Sequence, residues 1–428
     1  MIDIDMEEIL ESGEYGRGIN MNIHPIGKIR TLVDSVWCSL SMQLRNAICI
    51  VLANSVASAN TNGVVRYSRS KKKIHRVYNN QCISPDTYLK GIDLLELDGW
   101  IHNIKAPRNT GKGKVCSRIA VTNKLLDYFS LGDMLEQEHK SIETYPTIIM
   151  RDEDGDDIGY RETSNMVGMR KIVGLLNLVN SQYRIEHMGN ILDNSNISRI
   201  FNGGHKKGGR WYRCDIQQIR QRNKDGTDLP VEQTRLGVLI DGGHVVEVDF
   251  KSLHPLLLCA KHDIKIECVA NDLYQHVLGD YNSNKADRSV VKLSLLRILN
   301  TDNPKSAKGA IQDVILDHKG RTSFILPSEV YNKIKQALPE LYPYFHSKDQ
   351  GLTLQYMDSM IVEEVANVFI EAGKPLLPVH DSFVVKEEDE NMLIRAMCQS
   401  FRKVTGNDNI PIGLKIKRWD GSEESYID

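Results

Sequence analysis

Val246-Glu247-Val248-Asp249-Phe250-Lys251-Ser252-Leu253-His254-Pro255 is the stretch on which the reading of this chain turns. Just upstream, Val238, Leu239 and Ile240 precede Asp241-Gly242-Gly243-His244. Two short β-branched runs joined by Asp-Gly-Gly predict a hairpin, because these residues accept the positive φ of a tight turn. Asp249 then stands at the end of a strand that is otherwise mostly apolar. Burying an unpaired carboxylate is costly, so it needs a partner. A salt bridge, a cap on the following turn and a divalent cation all qualify, and the strand alone does not choose among them.

A second carboxylate narrows the choice. Pro375-Leu376-Leu377-Pro378-Val379-His380-Asp381-Ser382-Phe383-Val384-Val385 reads as strand, polar break, strand, with Asp381 at the break. Leu354, Met357, Ile361, Val365 and Val368 recur before it at helical spacing, and Gly373 is the expected stop. Two strand-end aspartates so far apart converge only if their strands pair in one sheet. Like charges held close repel, so such a pair is tolerable chiefly around cations. Mg²⁺ prefers oxygen ligands and is commonly held by one or two carboxylates plus substrate phosphates. Two such ions can drive in-line phosphoryl or nucleotidyl transfer.

The strand bearing Asp249 resembles motif A of template-directed polymerases. Val379-His380-Asp381-Ser382 is similar to motif C of A-family DNA polymerases and of phage single-subunit RNA polymerases. Between them, Arg288-Ser289-Val290-Val291-Lys292 resembles the Arg-x-x-x-Lys of motif B. Upstream, Gly208-Gly209-Arg210-Trp211-Tyr212 followed by Gln217, Gln218 and Ile219 resembles a degraded A-family Gly-Arg-Leu…Gln-Asn-Ile motif. The four stand in the family's order across residues 208–385, a layout similar to that of polymerases from mobile elements and phages.

This resemblance implies a DNA polymerase, and because no room remains before these motifs for the exonuclease domain the family carries, no proofreading is expected. It implies Asp249 and Asp381 as catalytic residues that hold, with the Phe250 carbonyl, two Mg²⁺ ions for which Mn²⁺ can substitute. Arg288 and Lys292 are four apart and so share a helix face; the resemblance sets them on the triphosphate. It sets Arg210, Gln217 and His380 on the primer-template, with His380 orienting Asp381 as its other role. His254 and Asn300 fall where A-family enzymes carry a Glu and a Tyr that police the sugar and the nascent base pair. The chain departs from the family there, which predicts weaker exclusion of ribose and leaves room for primer synthesis. Ser382 follows Asp381 where A-family DNA polymerases usually have Glu, which leans toward a single-subunit RNA polymerase or primase. A third reading is a non-catalytic replication protein that only grips DNA. Expected partners are a DNA primer-template, dNTPs with NTPs as a second substrate class, and a small processivity or priming protein.

The N-terminal third reads differently. Ile29, Leu32, Val33, Val36, Leu40, Leu44, Ile48, Val51 and Leu52 predict one or two packed helices. Ser84-Pro85-Asp86 is a helix start, and Gly99-Trp100-Ile101 opens a strand. A basic Gly-rich loop and a returning strand follow, an order that resembles a winged helix-turn-helix. Lys71, Lys72, Lys73 and Arg76, with Lys105, Arg108, Lys112, Lys114 and Arg118 on the wing, are the expected DNA contacts. Residues 61–124 hold thirteen Lys/Arg against four Asp/Glu, the charge excess that phosphate binding needs. A protein-docking winged helix is the competing reading. The whole chain carries a formal charge of −2, so any nucleic-acid surface must be local.

The expected fold class is therefore α+β: a winged helix-turn-helix, then a right-hand polymerase with an antiparallel palm sheet, helical fingers and a reduced thumb. The boundaries expected are an acidic tail at 1–20, the winged helix at 21–150 and an acidic linker at 151–163. The polymerase domain follows at 164–428, with the thumb at about 164–207, palm at 208–260 and 350–428, and fingers at about 261–349. Residues 164–201 read as helical throughout. The eight cysteines show no zinc spacing and read as reduced thiols. With no bilayer-length apolar run, a cytoplasmic protein with no membrane partner is expected.

Overall fold

The computed structural model describes residues 17–61, 63–69, 82–106, 116–193, 195–222, 228–279, 284–347 and 349–428. Helices combine with four mostly antiparallel sheets among the described residues, an α+β arrangement. Among the described residues, no helix is long and apolar enough to cross a membrane.

The N-terminal unit begins with β1 (Arg17–Gly18), α1 (Gly27–Val36) and α2 (Met42–Ala59). Residues 47–58 of α2 are buried without interruption, so this helix is the pillar of its own core rather than an amphipathic surface helix. Its polar members are satisfied along the helix: Asn54 and Ser55 donate to the carbonyls of Ile50 and Val51. Around it lie β2 (Val64–Tyr67), α3 (Pro85–Leu97), β3 (Ile101–Ile104) and β4 (Ser117–Val121). As expected, Ser84 caps α3, accepting from the Thr87 N–H, and Pro85 occupies the first turn. The sheet order is β1-β2-β4-β3, with β2 and β3 both antiparallel to β4. Then come α4 (Asn123–Tyr128) and α5 (Leu131–Thr144), the latter opened by a capping box between Ser130 and Asp133.

Two expectations fail in the middle of the chain. The acidic segment after residue 150 is not a linker. It turns between β5 (Ile148–Arg151) and β6 (Asp157–Ile158), and β5 runs parallel to β9 (Ser198–Asn202) in a sheet of order β10-β9-β5-β6. Nor is 164–201 all helix: α6 stops at Ser181 (Ser164–Ser181). β7 (Ile185–His187), β8 (Asn190–Ile191) and β9 follow it, then β10 (Gly208–Tyr212).

The expected hairpin around Asp241-Gly242-Gly243 also changes. β11 (Val238–Ile240) pairs with β7, not with β12 (Val245–Phe250). The turn is present, with Asp241 and Gly242 at φ +49° and +76° and a lone bridge from Ile240 to Gly243. The Asp241 N–H is spent on the Arg184 carbonyl, so the chain leaves one sheet and enters the next.

β12 is the centre of that next sheet. After α7 (Leu253–His262), α8 (Leu273–Leu278), α9 (Lys285–Leu299), α10 (Pro304–Asp317), α11 (Pro327–Ala337) and α12 (Gln350–Glu371), the chain returns as β13 (Leu377–Val379) and β14 (Ser382–Lys386). α13 (Glu390–Thr405), β15 (Gly413–Arg418) and β16 (Glu423–Ile427) complete it. The order is β13-β14-β12-β15-β16, antiparallel throughout. Val246, Val248 and Phe250 face the core, with Phe250 against Phe401 of α13 at 6.2 Å. Strand alternation puts Glu247 and Asp249 on the opposite face.

Candidate active site on the five-stranded sheet

Asp249 lies opposite Ser382 across the β12–β14 pair, and the Phe250 N–H donates to the Asp381 carbonyl at 3.2 Å. Of the two aspartates foreseen from sequence, Asp249 therefore stands near the end of β12 and Asp381 in the turn just before β14, at one end of one sheet. The Oδ1 of Asp249 is buried without a hydrogen-bond partner. Burial first, then the Asp381 and Glu247 carboxylates, push the Asp249 pKa well above the ordinary carboxylate value. Lys292 and Lys417 oppose the shift.

Glu247 was not singled out from sequence. It is buried two residues before Asp249 on the same face. Its Oε1 accepts from Arg235 at 2.7 Å and from the Ser382 hydroxyl at 2.8 Å, and its Oε2 has no partner. The signal was available: Val245-Val246-Glu247-Val248-Asp249 places two acids on one face of an apolar strand. On the other flank, β15 sets Lys415 opposite Asp249 and Lys417 opposite Glu247. Lys415 is paired with Glu423 at 2.6 Å.

Helix α9 supplies the cations. Asn284 caps its start, accepting from the Asp287 N–H. Arg288 is held by Asp272, with Nε at 2.8 Å from Oδ2 and Nη2 at 3.0 Å from Oδ1. Arg288 and Lys292 both lie over the ring of Tyr274, at 5.2 Å and 6.0 Å from its centroid. Tyr274 is buried, and burial is the main reason its pKa is pushed up to about 12. The charges of Arg288, Asp249 and Asp381 also act on its hydroxyl, which gathers the start of α9 and both aspartates around one ring.

The residues expected on the primer-template are engaged within the chain. Arg210 of β10 donates from Nε to Asp358 of α12 at 2.9 Å, and its Nη2 lies 2.9 Å from His254 Nε2. A guanidinium only donates, so Nε2 must accept and the proton sits on Nδ1. His254 Nδ1 is buried without a partner, and burial, with Arg210 beside it, lowers the His254 pKa to about 4. Burial raises that of Asp358 to about 7, against the pull of Arg210. The amide of Gln217 donates to the carbonyls of Trp211 and Pro378 at 3.0 Å and 2.9 Å. Its donors are thus spent on the fold, not left for a phosphate. His380 sits at φ +58°, edge-on to Tyr212 at 5.6 Å. Asn300 ends α9, exposed, with its carboxamide against Gly351 of α12.

Of the expected DNA contacts, Lys71, Lys72, Lys73, Arg76, Arg108, Lys112 and Lys114 lie outside the described residues. Lys105 is exposed and 3.9 Å from Glu96. Arg118 is a correction: it is buried within β4, opposite Arg66 of β2, and is not presented on a wing.

Among the described residues, no group of three or more His, Cys, Asp or Glu side chains is arranged as a metal cage. The donor set at Asp249 and Asp381 still fits Mg²⁺, which completes its shell with water and substrate phosphates. The orphaned, buried Asp249 oxygen is the feature a cation would satisfy.

No protein-family model and no curated protein matches the chain. Among solved structures it is similar to the POL domain of Pol1 from M. smegmatis in complex with DNA primer-template and dNTP. That similarity spans 97% of this chain and 69% of that one, at 12% identity and a TM-score of 0.31. Chains related at that level share too little superposable backbone for one to stand in for the other.

Proposed function

We propose that this chain is a template-directed DNA polymerase that adds nucleotides to a primer 3′-hydroxyl. The observation that carries the reading is the closeness of Asp249 and Asp381 at the shared end of the paired strands β12 and β14, with a buried carboxylate oxygen left unsatisfied beside like charge. Asp249, Asp381 and the Phe250 carbonyl would hold Mg²⁺. Bound there, it would acidify the attacking hydroxyl and neutralise the leaving phosphates. Arg288 and Lys292 would take the triphosphate oxygens, Arg288 as a planar fork and Lys292 as a point charge. Asp272 and Tyr274 hold Arg288 in place beforehand, so little ordering remains to be done on binding. Arg210 acts indirectly, as the link from Asp358 to His254 beneath the site.

In this reading residues 208–260 and 350–428 are the palm and about 261–349 the fingers. The N-terminal unit is a winged-helix DNA-binding domain. Its support is the order helix, strand, helix, hairpin, with the first strand laid beside the last, together with the basic charge of 61–124. Asn300 is smaller than a tyrosine and has no stacking face, and His254 is not a carboxylate, so sugar selection should be loose. The test is primer extension with dNTPs and then NTPs, with and without primer, in Mg²⁺ or Mn²⁺. Template-dependent product is expected from the unchanged chain and none from Asp249→Asn or Asp381→Asn, with DNA binding retained. Synthesis in either variant removes the assignment, and strong dNTP preference removes the loose sugar selection. Ser382 after Asp381 favours a second reading, a primase or single-subunit RNA polymerase, and NTP product without a primer would select it.

A further inference from the structure

The turn that carries Asp381 is gripped from two sides. On one side, Gln217 donates to the Pro378 carbonyl at 2.9 Å and to the Trp211 carbonyl at 3.0 Å. On the other, the Ser382 hydroxyl lies 2.8 Å from Glu247 Oε1 and 3.1 Å from the Val379 carbonyl. Arg235 holds the same Glu247 oxygen at 2.7 Å. Between the grips, His380 adopts φ +58°. For a residue with a Cβ this left-handed conformation costs roughly 1–2 kcal/mol, and such strain persists only where the surroundings over-determine it. The next residue is Asp381, whose carbonyl is tied to the Phe250 N–H.

We infer that Glu247, acting through Ser382, and Gln217, acting through Pro378, are positioning residues that hold Asp381 beside Asp249 so that the pair binds a divalent cation ready-aimed. Glu247 is buried, 1% exposed, and a buried carboxylate needs a partner. Arg235 alone could neutralise it. The Ser382 bond is surplus to that need, and it reaches the residue next to Asp381. The hydrogen-bonded path from Glu247 to Asp381 therefore runs through one hydroxyl, and that hydroxyl can be removed without disturbing the Arg235 pair or the charge that Glu247 sets beside Asp249. The value of the arrangement rests on the polymerase reading, but the cation affinity it predicts does not.

The test is Mn²⁺ binding to the full chain, without DNA or nucleotide, followed by electron paramagnetic resonance. Asp249→Asn marks the site-specific signal. Ser382→Ala and Glu247→Gln should each weaken that binding by about tenfold, the low end for groups that orient metal ligands. Their double variant should be no weaker than the worse single one, because both cut one path. Gln217→Ala should weaken it independently. Thermal melts separate loss of grip from loss of fold; should Glu247→Gln unfold, Ser382→Ala and Gln217→Ala decide. Ser382→Ala within twofold of the unchanged chain overturns the inference. So do losses that multiply in the double variant, or the absence of any Asp249-dependent Mn²⁺ signal. Primer extension on the same proteins keeps the two readings apart. Mn²⁺ losses without synthesis by any of them remove the polymerase and keep the grip; synthesis with unmoved Mn²⁺ affinity does the reverse.

Discussion

Two clusters of buried charge flank the same region, and they are built on opposite plans. At β9 and α12, Arg199 is fully buried and every direction of its guanidinium is used. It pairs with Glu363, donates to the Gly209 carbonyl and Ser359 hydroxyl at 3.0 Å each, and stacks over Phe201 and Trp211. At the end of β12, Glu247 is as deeply buried and Asp249 is half-buried, yet each has a buried oxygen with no partner. The chain can thus satisfy buried charge where it serves only the fold. Where it leaves carboxylates short of partners and close to one another, the arrangement costs stability, and the proposed cation beside Asp249 would offset that cost.

The largest effect that probes this contrast is on activity. Asp249→Asn should lower nucleotide addition by about 10⁴-fold, near 5.5 kcal/mol of barrier, while leaving the melting temperature equal or higher. The substitution removes repulsion from Asp381 and Glu247 without removing a bond. Activity is read by single-nucleotide addition and stability by thermal melt. A marked fall in melting temperature would mean that Asp249 serves the fold and would dissolve the contrast. Glu363→Gln should behave the other way. It leaves Arg199 charged, buried and unpaired, a loss of about 3–5 kcal/mol, read by urea unfolding. Nucleotide addition per folded molecule should change little.

Sequence made the second plan easier to foresee than the first. The strands around Asp249 and Asp381 announce themselves through β-branched runs broken by one acid, and α9 through Asn284 and the Arg288–Lys292 spacing. These are local signals. Arg199 pairs with Glu363 across 164 positions, and nothing near either residue points to the other. The same distance hid the β5 strand. Its acidic neighbours read as a solvated linker, while its partner β9 lies some fifty residues on and runs parallel, so no turn betrays the pairing. The part that Gln217 plays in the fold was hidden for a related reason: the Pro378 carbonyl that takes its amide comes from far downstream.

A smaller effect separates the two plans by pH. His254 sits between the clusters, against Arg210. Its folded pKa is lowered to about 4 by burial and by that guanidinium, from an ordinary 6.5. A base with a depressed folded pKa supports the fold fully above its unfolded pKa and loses that support as pH falls through the folded one. Between pH 6.5 and 4 the chain should therefore lose stability, by about 3 kcal/mol at full protonation. His254→Gln should flatten that slope while melting normally at pH 7.5. An unchanged slope would place the titration elsewhere.

The smallest effect concerns the edge of the site. A Cβ added at Gly351 would fall 1.5 Å from the Asn300 Oδ1, so the two cannot coexist as they stand. Asn300 is exposed at the end of α9 and its carboxamide donates only to the Leu296 carbonyl, at 2.6 Å, so Gly351→Ala, which displaces it, should cost about 1 kcal/mol. The displaced carboxamide, however, leaves the position that the polymerase resemblance sets beside the incoming nucleotide. If Asn300 contributes to sugar choice from there, Gly351→Ala should change the ratio of dNTP to NTP incorporation by several-fold at nearly constant stability. Asn300→Ala should move the ratio in the same direction. A ratio unmoved in both would leave sugar choice to the buried end of the site, where His254 and Arg210 lie.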